Sequence, residues 1–307
     1  MSNFVIIAVC LIGGFIVRRL GHFRREDAKP LNTVVLWLSL PALIFTEVPK
    51  IFRFATLSHE MLWVAGMPWI QFTLILLLAL VLRKAFGFGL KTVGAITLTA
   101  GLANTSFVGF PVVEAFYGVE GLRYALLADQ LGSFLALATV GLVVASTCAG
   151  RSVSATQIVK RVVCFPPFVS FCLAVLWGFS SLPVEGFVID ACRRLGGTVV
   201  PLALISVGWQ LELSRPALKH YRMPLFLGLA YKLVLFPMFF WMLLRFFVAP
   251  ESLMYRVTVL ESAMGPMITA AVVAADFDLE PELAQLMVGI GIPVSLVSLS
   301  VWHWVLG

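Results

Sequence analysis

The sequence predicts an all-α polytopic membrane protein: ten transmembrane helices in two inverted five-helix repeats, with crossed broken helices four and nine. Three observations predict it. The 307 residues are 60% hydrophobic and 12% charged, about half the charged fraction of a soluble domain. Apolar runs of spanning length follow one another along the whole chain. Motifs in the first half recur in the second at an almost constant offset. The net charge of +6 does not point to nucleic acid, because the basic residues lie between apolar runs and not along one patch; the lipid bilayer is the expected partner. The five cysteines Cys10, Cys148, Cys164, Cys172 and Cys192 show no CxxC or Cys/His spacing. They read as small apolar residues, neither a disulfide framework nor a metal site.

Residues 3–17 form the first apolar run. A secretory signal carries its positive charges ahead of such a run. Here they follow it, in RRLGHFRREDAK, so the run reads as a spanning helix with its N-terminus outside. Further runs long enough to span lie at 30–47, 61–82, 92–117 and 122–148, and at 161–180, 187–208, 222–248, 254–277 and 282–306. The stretch IFRFATL at 51–57 is too short and is expected in the membrane interface. With the N-terminus outside, the inner connections hold fourteen of the 22 basic residues and the outer ones seven, Lys232 being the remaining one. That bias places both termini outside. A chain of this length with a short central linker fits a bacterial inner membrane.

Pro41 in LSLPALIF (38–45) and Pro201 in TVVPLALI (198–205) are 160 residues apart, as are Glu120 and Glu280. Residues 1–148 therefore read as one repeat, 149–160 as a cytoplasmic linker and 161–307 as a second repeat. Five spans per half is an odd number, so the second half enters from the opposite side and the repeats are inverted. The offset carries Ala103–Asn104 onto Gly265–Pro266, placing a break in the fourth and ninth spans alike.

The fourth span holds GLANTSFVGFPVVEAFYG (101–118). Polar residues and helix breakers inside hydrocarbon leave backbone groups that cost several kcal/mol each unless something satisfies them. Broken helices running in opposite directions can present two half-helix N-termini to the middle of the membrane. Those ends carry unpaired N–H groups and about half a positive charge, natural seats for a carboxylate. Asn104, Thr105 and Ser106 are placed to cap one half-helix or bind a substrate oxygen, and Thr269 to do the equivalent in the other. Gly109 and Pro111 shape the outer half-helix; Pro41 and Pro201 read as helix kinks.

The runs GLANTSFVGFPVVEAFYG, ALLADQLGSF (125–134) and VLESAMGPMITAAVVAADFDLEPELAQ (259–285) resemble the auxin efflux carrier family of membrane transporters, whose bacterial branch includes malonate and other organic-acid permeases. The resemblance covers essentially the whole chain. It implies a scaffold of spans 1, 2, 6 and 7, a transport unit of spans 3–5 and 8–10, and a homodimer formed through the scaffold. It also implies that an organic anion's carboxylate sits at the crossing, by Asn104 and the Gly265–Pro266 break. This sequence departs from the pattern where relatives often have Pro in place of Gly265 and many bacterial members have Asn in place of Thr269.

Lys232 lies about ten residues into the eighth span, too deep to snorkel easily, and Asp129 with Gln130 about seven residues into the fifth. Buried charges of opposite sign cost several kcal/mol each unless paired, so Asp129 and Lys232 are expected to face each other. The pair serves either as a proton or counter-ion site or as a structural tie. Glu261, one turn before the second break, is a third ion-coupling candidate; its alternative is a carboxylate facing interfacial water. Glu114 and Asp276 lie nearer the surfaces, and His22, His59, His220 and His303 fall in loops or at an end. No HExxH, DDxxD or GxGD motif and no P-loop is present, so no enzyme and no nucleotide-driven pump is expected. The expected function is secondary active transport of a small organic anion by alternating access. No cofactor is expected beyond a coupling proton or sodium ion. The alternative is an anion channel or solute sensor of the same fold.

Overall fold

The computed structural model describes residues 2–54, 61–180, 186–211 and 215–307. The first element, α1 (Ser2–Arg19), ends on Arg18 and Arg19, whose charges suit the carbonyl end of a helix. A continuous helix then runs as α2 (Ala28–Val34), a π-helical turn (Val35–Ser39) and α3 (Leu40–Phe54). Residues 51–54, expected in the interface, thus extend α3; 55–57 lie outside the described residues. The chain continues as α4 (Met61–Phe86) and α5 (Leu90–Gly101). After a break comes a π turn (Thr105–Gly109) and α6 (Phe110–Leu127), bent at Gly118 where φ is 67°. Two further π-wound stretches, Ala128–Phe134 and Leu137–Gly141, lead into α7 (Leu142–Cys148).

The second half begins with α8 (Ala155–Val163) and α9 (Pro166–Gly178), which meet at 64°. Next are α10 (Phe187–Gly196), α11 (Val199–Gln210) and α12 (Arg215–His220). Then α13 (Arg222–Ala230) passes through a π turn (Tyr231–Leu235) into α14 (Phe236–Leu244). The chain closes with α15 (Leu253–Ser262), α16 (Ile268–Asp276) and α17 (Pro281–Leu306).

Three of the π turns stand immediately before a proline one residue into the next helix: Pro41, Pro111 and Pro237. Proline offers no N–H, and its ring crowds the carbonyl four residues back. A wider turn at that point relieves the crowding and absorbs the missing bond. The proline kinks expected at Pro41 and Pro111 take this form. Pro201 instead follows the division between α10 and α11.

The protein is all-helical, and among the described residues five helices are long and apolar enough to cross a membrane, six if the bent α8–α9 pair is one span. That is fewer than ten: breaks divide several of the apolar runs into shorter helices, and parts of the fourth and fifth runs join in one helical stretch, Thr105–Cys148. Outward faces are apolar, as lipid contact requires: Val5, Val9 and Ile12 on α1 and Val297, Val301 and Trp304 on α17 are all exposed.

Helix α1 packs along α11, and α3 along α9 and α10, while α4 packs on α5, α6 on α15, and α16 on α5 and α17. The α1–α11 approach is close because glycine stands on both sides. A Cβ on Gly14 would lie 2.7 Å from the Ile205 carbonyl oxygen, and one on Gly208 would lie 2.5 Å from that of Leu11. Backbone cannot step aside as a side chain can, so Gly208→Leu is expected to cost about 1–3 kcal/mol through over-packing. The check is the thermal unfolding midpoint of detergent-solubilised protein; an unchanged midpoint would refute this contact.

Candidate functional site

The polypeptide is extended at two places inside the helical body, between α5 and α6 and between α15 and α16. The two extended stretches cross as an antiparallel bridge between Ala103 and Pro266. The Asn104 N–H donates to the Gly265 carbonyl at 2.9 Å, and the Met267 N–H donates to the Leu102 carbonyl at 3.0 Å. Each break thereby satisfies backbone groups that the other exposes. Ala103 and Pro266 form the non-hydrogen-bonded pair, whose own N–H groups point away from the partner strand. Proline fits there because it has none to offer. The expected sites of the two breaks are thus brought into direct contact.

Asn104 starts the α6 side of the crossing. Its Oδ1 accepts from the Phe107 N–H at 3.2 Å, and its carbonyl accepts from the Gly109 N–H at 2.9 Å, closing the π turn. The residue is 1% exposed, and its Nδ2 has no hydrogen-bond partner among the described residues. A buried amide left so costs about 1–3 kcal/mol.

A cavity of about 110 Å³ reaches the first turns of both half-helices. Ser106 and Phe107 contribute from the α6 side, Met267 and Thr269 from the α16 side, with Asp129 and Arg161 completing its polar wall. A larger cavity of about 620 Å³ lies between Glu47 and Lys50 on α3, Pro111 and Glu114 on α6, and Arg193 and Pro201 beyond them. Glu47, nearly buried, accepts from Lys50 at 2.8 Å and from Arg123 at 3.2 Å, which ties α3 to α6.

The expected Asp129–Lys232 pair does not form. The Asp129 carboxylate accepts from the Thr105 hydroxyl at 2.5 Å and from Gln130 Nε2 at 2.7 Å. Lys232, fully buried, donates to Gln71 Oε1 at 3.0 Å and lies 3.5 Å from the Ser262 carbonyl. Thr105 therefore points to Asp129 and does not itself line the cavity. Glu261 does not face interfacial water: it is fully buried, and neither carboxylate oxygen has a hydrogen-bond partner among the described residues. Its oxygens rest against Gly109, where a Cβ would fall 2.7 and 2.8 Å from them. Gly109 thus gives room to a carboxylate, a role its sequence context does not reveal.

Glu114 is half-buried in the larger cavity and Asp276 is exposed at the end of α16. His22 and His220 are exposed, while His303 stacks on Phe116 at 4.0 Å and is therefore packed, not solvated; His59 lies outside the described residues. The site residue that sequence reasoning missed is Arg161, read only as a loop charge. It lies on α8, whose start is marked by a capping box between Ser154 and Gln157. The Ser-x-x-Gln spacing was the available signal for a helix in the linker.

Long apolar helices with two breaks paired inside the helical body define a polytopic membrane protein. Residues 1–303 match the family described as membrane transport protein. The chain is 31% identical over 302 residues to an uncharacterized transporter of Methanothermobacter thermautotrophicus, covering 98% of this chain and 96% of the relative. It is 27% identical over 326 residues to an uncharacterized transporter of Methanocaldococcus jannaschii, covering 100% and 98%. The chain belongs to this membrane transport protein family, that of the auxin efflux carriers. It is an integral membrane protein and a transporter, not an enzyme.

Proposed function

We propose that the protein is a secondary active transporter that moves a small organic anion, bound by its carboxylate at the crossing, by alternating access. The observation that carries this reading is the cavity shared by the first turns of both half-helices. Helix starts offer unpaired N–H groups and a partial positive charge to an anion. Ser106 and Thr269 add hydroxyls from the cavity wall; the buried Asn104 Nδ2, two residues before Ser106 and without a partner among the described residues, is the donor that a carboxylate oxygen would complete, and the Gly265–Pro266 break holds the second half-helix in place. Arg161 supplies positive charge in the same wall, where it draws anions in.

In this reading the interrupted helices count as spans, giving ten in two inverted repeats, 1–148 and 161–307, joined by the linker 149–160. Helices α1–α3 and α9–α11 form the scaffold, in keeping with the packing of α1 on α11 and of α3 on α9 and α10. The crossing moves with α4–α7 and α13–α17. The larger cavity is lined by Lys50 and Arg193, which lie on the outer side when both termini are outside, and the smaller one by Arg161, next to the linker. The protein works as a homodimer through its scaffold in a bacterial inner membrane.

The test is counterflow in proteoliposomes loaded with malonate. Saturable uptake of labelled malonate against the preloaded pool is expected. Linear conductance without counterflow would make the protein a channel and overturn the carrier reading. A thermal-shift comparison of mono- and dicarboxylates then ranks substrates.

A further inference from the structure

The least satisfied polar group among the described residues lies one turn before the crossing. Glu261 carries two buried carboxylate oxygens that accept no hydrogen bond among the described residues. Taking a carboxylate out of water without partners costs several kcal/mol. A cation that it binds is the natural remedy, and the surroundings say which kind. Lys232 already occupies Gln71 Oε1 and approaches the Ser262 carbonyl, oxygens that a metal ion would need as ligands. Gln71 Nε2 also donates to Ser262 O at 3.0 Å. Among the described residues no group of three His, Cys, Asp or Glu gathers to hold a metal. A proton needs none of these further ligands.

We propose that Glu261 is the binding site of an exchangeable proton, that Lys232 balances it, and that its occupancy sets the strength of the anion site. The charged groups facing Glu261 are Asp129, beyond α6, and Lys232, between α13 and α14. Helix α4 presents the uncharged Gln71, and α17 keeps its titratable groups, Glu282 and His303, at its two ends. The link to the anion site is steric and electrostatic. Glu261 rests on Gly109 in the first turn of the α6 half-helix, the turn that Asn104 caps. A negative charge there offsets the positive field of that helix start, which an incoming anion would otherwise use. A proton on Glu261 removes that charge, while Asp129 keeps its place in the cavity wall. Proton and anion therefore favour each other's binding, and by linkage equally, which makes the transporter a proton–anion symporter. This coupling rests on the function proposed above; the proton site does not.

Two measurements separate these claims. Infrared difference spectra between mildly acidic and alkaline pH are expected to show a protonated-carboxyl band that is missing from Glu261→Gln. Absence of such a band in the wild type, or its full retention in E261Q, would overturn the proton site. The substitution is close to isosteric, and E261D, which keeps a carboxyl, is expected to restore a band in case E261Q folds poorly. The second measurement is malonate affinity by thermal shift at two pH values at which malonate stays a dianion. Affinity is expected to be on the order of tenfold tighter at the lower pH in the wild type and equal at both in E261Q. A wild-type pH slope in E261Q overturns the coupling. No malonate binding by the wild type at either pH removes the anion reading and the coupling with it, and the infrared band still decides the proton site.

Discussion

Asn104→Leu is expected to weaken anion binding by about 10–100-fold while leaving folded protein in the membrane. The variant loses two things. Without Oδ1 the Phe107 N–H goes uncapped, which costs about 1 kcal/mol of helix stability. Without Nδ2 the donor proposed for the carboxylate disappears. A hydrogen bond to a charged group is worth about 1.5–3 kcal/mol, which gives that range at about 1.4 kcal/mol per tenfold. Asn104→Asp keeps the capping oxygen, lacks the donor and adds a negative charge that further opposes an anion. Both variants are therefore expected to lose the malonate-induced thermal shift and saturable counterflow. Unchanged affinity in either one refutes the assignment of Asn104.

Gly291→Ala is expected to disable the crossing from behind. Gly291 lies on α17 against the ring of Pro266, and a Cβ there would fall 2.5 Å from Pro266 Cδ and 2.7 Å from Cγ. The ring cannot rotate aside, and Pro266 is fixed to Ala103 by the antiparallel bridge. One added methyl must then shift either α17 or the crossing itself, at about 1–3 kcal/mol. Loss of counterflow together with a lowered unfolding midpoint is the expected result. Gly66→Ala on α4, where a Cβ meets nothing within 4 Å, is the matched control and should leave both unchanged. Wild-type transport in G291A would mean that the crossing does not depend on its packing against α17.

The breaks at 103–104 and 265–266 were legible in the sequence because hydrocarbon makes polar and helix-breaking residues conspicuous, and because the offset paired the two stretches. Their mutual hydrogen bonding was not legible, since backbone pairing leaves no mark on side-chain identity. The Asp129–Lys232 expectation failed for a related reason. Position along an apolar run gives depth but not direction around the helix axis. Both residues sit in π-wound segments, Ala128–Phe134 and Tyr231–Leu235. Each extra residue in such a turn rotates the remainder of the helix by about 100° relative to an uninterrupted one. Depth placed both charges correctly inside the protein, and rotation gave them different partners. Three of the five π-wound segments among the described residues left a trace, the prolines Pro41, Pro111 and Pro237 that follow them; the segment of Asp129 left none.

The antiparallel bridge also bears on ancestry. Each extended stretch has its backbone completed by the other, through Asn104 to Gly265 and Met267 to Leu102. If the two halves arose by duplication, as the proposed inverted repeat would imply, a half-length forebear carried one break with no mate in its own chain. It could satisfy those groups only against a second copy inserted upside down. The crossing is then the relic of an assembly in which one gene product entered the membrane in both orientations, and fusion of the two copies made that antiparallel contact permanent.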